Sequence, residues 1–156
     1  MRSVHVVFAA MFLALATPAG ASPAGRTGSS SRRASQEWRT PSLRLAIETP
    51  TRGRVSTPFV VTGWALDLAA ADGTGIDAIH VWAYPVGDGA PIFLGEARYG
   101  DPRADVAAAF GERFSRASYT VSVDHLPRGS YDVIVSARRA STGRFGPAQG
   151  VRITVE

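Results

Sequence analysis

The chain has 156 residues, a length typical of one domain, and it contains no cysteine, so no disulfide can stabilise it. Its formal net charge is +4, but the excess lies before Pro41: from that residue onward, 12 arginines balance 12 Asp and Glu residues. Nucleic-acid binding needs a clustered positive surface. The charge distribution therefore argues against a nucleic-acid partner.

The first 21 residues have the pattern of a secretory signal peptide. Arg2 precedes an apolar stretch from Val6 to Ala16, and small residues follow up to Ala21. The stretch is well short of the ~20 apolar residues that cross a bilayer. We expect residues 1–21 to be removed, with no stable membrane insertion afterwards and a secreted or periplasmic product.

Residues 22–42 are rich in Ser, Gly and Arg, and Trp38 is their one large apolar side chain. A segment of this composition buries too little apolar surface to offset the entropy lost on ordering. We therefore expect a flexible leader over 22–42, followed by a folded domain over 43–156.

From Leu43 onward, apolar and polar residues alternate, which predicts half-buried β-strands. Seven runs fit this pattern: LRLAIE, TPFVVTGWALD, GIDAIHVWAYP, PIFLGEARYG, SYTVSVDHL, GSYDVIVSARRA and GVRITVE. Turn sequences with Gly, Pro and Asp separate them. Seven short strands without alternating helices predict an all-β fold, an immunoglobulin-like or fibronectin-like antiparallel β-sandwich.

The segment YGDPRADVAAAFG, residues 99–111, interrupts the strand pattern and predicts one short helix. Asp101 is a suitable N-cap, Pro102 suits the first turn, and the helix formers of 104–110 end at Gly111. Asp101 and Asp105 on either side of Arg103 are also compatible with a functional site, but the capping pattern favours a structural helix.

A helix of two turns is marginal alone and must dock on the sheets. Val106 and Phe110, four residues apart, form its apolar stripe, which we expect to pack near Trp82 or Trp64. We expect Arg103 to pair with the carboxylate of Asp101, of Asp105 or of a neighbouring strand.

The motif LPRGSYDVIV resembles the tyrosine corner of immunoglobulin-like and fibronectin-type domains, in which the phenol bonds to nearby backbone. We predict that role for Tyr131. Its strand would then turn Tyr131, Val133 and Val135 toward the core.

The strand GIDAIHVWAYP carries three aromatic rings on one parity. If Ile79 and Val81 face the core, then His80, Trp82 and Tyr84 share the outer face, and the same parity argument places Trp64 outside in its own strand. Two interpretations remain open. Either these aromatics form a docking patch for a carbohydrate or a protein, or an extra element covers them.

We find no motif for catalysis. His80 and His125 are the two histidines beyond the predicted signal, and no G-x-S-x-G motif presents a serine. Asp67, Asp72 and Asp77 are weak candidates for a metal, because their spacing does not match an EF-hand and turn and strand-end positions explain them better. We expect no cofactor and no enzyme activity.

Four motifs in order resemble bacterial immunoglobulin-like modules of exported proteins: VTGWALD, GTGIDAIHVWAYP, LGEARYGDPRADVAAAF and LPRGSYDVIVSA. The resemblance covers residues 47–155. It implies an adhesion-like, spacer or accessory module without catalysis of its own, with a protein or a cell-surface glycan as partner. The alternatives are a carbohydrate-binding module that uses exposed aromatics, and a small secreted enzyme or inhibitor with activity in its loops.

Overall fold

The computed structural model describes residues 42–156. The predicted signal peptide and, apart from Ser42, the predicted leader lie outside these residues. In chain order the elements are β1 Leu43–Thr49, β2 Gly53–Val55, β3 Phe59–Asp67, β4 Ile76–Pro85, β5 Ile92–Glu96, β6 Arg98–Asp101, α1 Ala104–Phe110, a 3-10 helix Glu112–Phe114, β7 Ser118–Val123, β8 Gly129–Arg139 and β9 Gln149–Val155. In this part of the chain, no helix is long and apolar enough to cross a membrane.

The strands form two sheets. One has the order β1-β3-β7-β6 and the other the order β2-β9-β8-β4-β5. Neighbouring strands are antiparallel except β2 and β9, which are parallel. The first order matches strands A, B, E and D of an immunoglobulin domain, and β9-β8-β4 matches G, F and C. The predicted immunoglobulin-like β-sandwich with one short α-helix is confirmed.

Two strand predictions need correction, because the described residues form nine strands rather than seven. The run PIFLGEARYG is two strands, and β5 and β6 belong to different sheets. Ala97 lies between them, buried, with its N–H donating to the Ile79 carbonyl at 2.8 Å. The short strand β2 was missed, because its three residues leave too little sequence for an alternation to show.

The inner faces of the two sheets meet in an apolar core. Its fully buried members include Val61, Ile79, Val81, Val133, Val135 and Ile153. Tyr119 also lies in the core, and its hydroxyl donates to the Ala46 carbonyl at 2.9 Å. This close approach requires glycine at position 63, since a Cβ there would lie 2.0 Å from that carbonyl oxygen.

The hydrogen bond of a tyrosine corner is present at Tyr131. The side chain is buried, and its hydroxyl donates to the Pro127 carbonyl at 2.9 Å. Val133 and Val135 follow on the same inner face of β8, as the parity of the sequence predicts. Tyr131 thus joins the β7–β8 turn to the strand that leaves it.

A partly buried ion pair joins the two sheets at one end of the sandwich. Asp67, at the end of β3, is 4% exposed and accepts from Arg139 Nε, at the end of β8, at 2.9 Å. Burial raises the pKa of Asp67, but hydrogen bonds from the Ser42 side chain, the Ala69 N–H and Arg139 outweigh it and hold the pKa below its usual value. The carboxylate therefore stays ionised in the folded protein.

We predict that Asp67→Asn lowers the free energy of unfolding by about 2 kcal/mol at neutral pH, since it weakens hydrogen bonds to a charged acceptor. Because the pKa of Asp67 is lower when folded, the carboxylate stabilises the fold above about pH 4 and loses this effect as the pH falls further. Urea unfolding at several pH values should show the variant and the original protein converging in acid.

Asp77→Asn is the matched control. This carboxylate pairs with Arg138 in an exposed position, so its loss should cost much less. A gap between the original protein and Asp67→Asn that stays constant from neutral pH into acid would contradict the assignment.

Candidate functional site

Strand β4 positions the aromatic side chains that the sequence singled out. It lies between β8 and β5 in the five-stranded sheet. Its inward residues are fully buried: Ile79, Val81 and Ala83. Since side chains alternate along a strand, His80, Trp82 and Tyr84 all lie on the outer face of the sheet. The parity predicted for β4 is therefore present in the structure.

Two further rings join them. Phe93 of β5 lies opposite Trp82, with ring centroids 4.8 Å apart, and it contacts His80 edge-on at 5.3 Å. Phe145, in the loop between β8 and β9, lies over His80 at 4.5 Å. We call His80, Trp82, Tyr84, Phe93 and Phe145 the aromatic face.

The aromatic face is open to solvent in the part of the chain that the structure describes. Phe93 is 47% exposed, Tyr84 43% and Phe145 42%, whereas His80 and Trp82 are half-buried beneath their neighbours. Exposed apolar side chains scattered singly need no explanation, but a group of them on one face is a candidate binding surface. Three of the five large apolar residues exposed within residues 42–156 belong to this patch.

Trp64 does not belong to the aromatic face. It lies on the outer side of the four-stranded sheet, and the Phe110 ring of α1 packs on it with centroids 5.4 Å apart. Under the helix, Val106 joins a separate buried cluster with Leu66 and Phe114. The predicted covering helix is present, and of the two tryptophans it covers Trp64 while leaving Trp82 uncovered.

The predicted start of the helix is wrong. Asp101 is the last residue of β6, where it pairs with Ser118 of β7 and accepts a hydrogen bond from Arg98. Sheet pairing holds this residue, and the N-cap position falls on Arg103 without a side-chain cap. The predicted end is right, since Gly111 follows the helix with a φ of 109° that favours glycine.

Arg103 holds the helix to the sheet. Its guanidinium donates to both carboxylate oxygens of Glu48 in β1 at 2.8 Å, and to those of Asp105 at 2.8 and 2.6 Å. Of the predicted partners, Asp105 and a strand carboxylate are found, and Asp101 is not. The hydrogen bonds from Arg103 lower the pKa of Asp105 to about 2. Segment 99–111 is thus a brace on the four-stranded sheet.

The three weak metal candidates do not converge. Asp67 is bound to Arg139, and Asp77 pairs with Arg138 at 2.9 Å. Asp72 lies in the turn between β3 and β4. Among residues 42–156, no group of three or more His, Asp or Glu side chains is placed to hold a metal ion.

Sequence reasoning missed two rings of the aromatic face. Phe93 was detectable, because it lies between the inward residues Ile92 and Leu94 and so has the outer parity of β5. Phe145 was not. It lies in a loop without periodicity, and its position depends on a backbone bridge to Arg138 of β8.

No protein-family model matches the chain. No curated protein matches it either. Among solved structures, murine CRIg is similar, with 9% sequence identity and a TM-score of 0.36 over 73% of this chain and 98% of that one. A likeness this distant carries no argument about function. The assignment of the fold rests on the strand order of the two sheets.

We predict that Phe110→Ala exposes Trp64. In a background where Trp38→Phe and Trp82→Phe leave Trp64 as the one tryptophan, acrylamide quenching of its fluorescence should increase. The loss of apolar contact should also lower the free energy of unfolding by about 1–2 kcal/mol.

Phe93→Ala is the control for this measurement, because it removes a ring from the other sheet. It should leave the quenching of Trp64 unchanged. If Phe110→Ala also left it unchanged, α1 would not cover Trp64.

Proposed function

We propose that this chain is an exported, non-catalytic binding module that holds its ligand on the aromatic face. One observation carries the proposal: five aromatic side chains gather on the outer side of one sheet, and three of them are 42–47% exposed within the described residues. Leaving such rings in water has a cost that a binding role explains.

The placement of the rings favours binding. His80, Trp82 and Tyr84 alternate with buried residues of β4, and Phe93 alternates with Ile92 and Leu94, which pack on the core. The strands therefore fix the directions of these side chains before any ligand arrives. A rigid aromatic platform loses little conformational entropy on binding, which favours affinity.

A comparison of the outer sides of the two sheets also supports the aromatic face as the binding site. The four-stranded sheet has its outer tryptophan, Trp64, under Phe110 of α1, and Arg103 holds that helix to β1. The five-stranded sheet has exposed rings at the equivalent outer position. A ligand would complete the apolar packing on the side where the described chain does not supply it.

The exported part of the proposal rests on the sequence. Residues 1–21 have the pattern of a signal peptide, and the four motifs over 47–155 resemble modules of bacterial exported proteins. A fold that needs no disulfide is compatible with this location. A protein or a glycan at a cell surface is the partner that this resemblance implies.

Site-specific photocrosslinking tests the proposal. A photoreactive phenylalanine analogue at position 93 should form an adduct with the surface fraction of the cells that produce the protein. Excess unlabelled protein should compete the adduct away, and the Phe93→Ser protein should not.

Val60 is the matched control position, since it is 41% exposed but lies on the four-stranded sheet. The same analogue there should give no saturable adduct. Equal adducts from positions 60 and 93, or none that competes at position 93, would refute the aromatic face as the binding site.

A further inference from the structure

A cluster of arginines shares the outer face of the five-stranded sheet with the aromatic rings. Arg52, Arg54, Arg152 and Thr154 line a shallow cavity of about 230 Å³ where β2 pairs with β9. Ile153, between Arg152 and Thr154, is fully buried in the core. The alternation of β9 therefore turns its arginine and threonine outward.

The cavity and the aromatic face are neighbouring parts of one surface. Arg152 of β9 lies opposite Asp132 of β8, and Asp132 lies opposite Tyr84 of β4. Strands in a sheet are about 4.8 Å apart, so two steps across the sheet, about 10 Å, separate the backbones at Arg152 and Tyr84.

The next outward-facing row of the sheet, two residues along the strands, has no side chain on β9. Gly150 of β9 and Ile134 of β8 lead to Trp82 of β4 in register. Gly150 has no side chain, and Ile134 lies over it, because a Cβ at position 150 would be 2.7 Å from Ile134 Cδ1. On the direct row from Arg152 to Tyr84, by contrast, the paired side chains of Arg152 and Asp132 lie on the surface.

The charged side chains in and around the cavity carry a net charge of +1. Arg54 pairs with Glu156 at 2.9 Å, and Arg152 donates to both carboxylate oxygens of Asp132 at 2.8 and 2.7 Å. Arg52 forms no ion pair with the carboxylates of residues 42–156, but its charge helps Arg152 to lower the pKa of Asp132. Three arginines against two carboxylates thus leave room for one more anionic group.

These groups select a ligand with two kinds of chemistry. A guanidinium forms charge-assisted, often bidentate hydrogen bonds to a carboxylate. An exposed aromatic ring offers a flat apolar surface to the C–H face of a sugar ring. The hydroxyls of Ser130 and Thr154, 3.0 Å apart on the same outer face, add neutral polar groups beside the arginines.

We infer that the outer face of the five-stranded sheet binds an acidic polysaccharide, with a uronate carboxylate at Arg52 and its neighbours and a sugar ring against Tyr84 and Phe93. This inference rests on the proposed function and adds the class of ligand. A polymer that carries carboxylates and sugar faces along one chain can span the three strand spacings, about 14 Å, that separate β2 from β4.

Affinity electrophoresis of the full protein without its first 21 residues tests the inference. The probes are polygalacturonate, alginate and hyaluronate, with methyl-esterified polygalacturonate as the neutral matched control. We expect binding to at least one acidic polymer, weakening as salt is added, and no binding to the ester.

Arg52→Gln and Phe93→Ser should each weaken this binding by about ten-fold, the scale of one charge-assisted hydrogen bond or one ring contact. Arg116→Gln removes the same charge from an exposed arginine just before β7, in the other sheet, and should leave the affinity unchanged. Equal unfolding midpoints for all three variants would show that the fold is intact.

The outcomes separate this inference from the proposed function. If no acidic polymer binds while unlabelled protein still competes away the adduct at position 93, the aromatic face remains a binding site and the assignment of an acidic glycan as its ligand is wrong. If polyglutamate binds as tightly as the glycans and with the same response to Arg52→Gln, the ligand is an acidic polypeptide and the inference is overturned. If Arg116→Gln weakened binding as much as Arg52→Gln does, the binding would be nonspecific charge attraction and the inference would be overturned.

Discussion

The register of β4 is the constraint on which the rest of this molecule depends. Val81, at its centre, is fully buried between the sheets, and a slip of one residue would exchange it for an aromatic ring. No disulfide is available to hold the sheets together, so apolar packing has to do so. Burial of the inward residues therefore fixes His80, Trp82 and Tyr84 on the outside. The candidate binding surface is the other side of the core-forming strand.

The outer faces of the two sheets differ in whether a further element of the chain covers their aromatic side chains. On the four-stranded sheet, the segment that follows β6 folds into α1, places Phe110 on Trp64 and is tied to β1 through Arg103 and Glu48. This helix has seven residues, too few to be stable without docking. Its presence there explains why one outer tryptophan is structural. The exposed rings of the five-stranded sheet have no such partner among the described residues.

The sequence was sufficient for much of the fold because alternation is a local property. The inward residues of β4 and β8 and the corner hydrogen bond of Tyr131 all follow from short patterns. The change of sheet between β5 and β6 also coincides with a break in the alternation of the sequence. The inward residues Ile92 and Leu94 are followed by buried Ala97, which breaks the period of two.

Other features depend on contacts between distant parts of the chain. The helix reaches Trp64 rather than Trp82 because β6, just before it, pairs with β7 in the four-stranded sheet. The arginine cavity exists because Gly53 of β2 lies beside Ile153 of β9 in parallel register. Neither pairing has a signal in the residues themselves, since β2 and β6 are short, β9 is far from β2 in sequence, and a helix separates β6 from β7.

Hydroxyl-radical footprinting tests the central claim, that the outer side of the five-stranded sheet is the binding surface, most directly. The protein would be oxidised alone and then with the surface fraction of the cells that produce it, and modified residues would be read by mass spectrometry. The account predicts ready oxidation of Tyr84, Phe93 and Phe145 in the free protein and their protection in the complex, with Val60 unchanged. Protection of Val60 while the three rings remain reactive would contradict it.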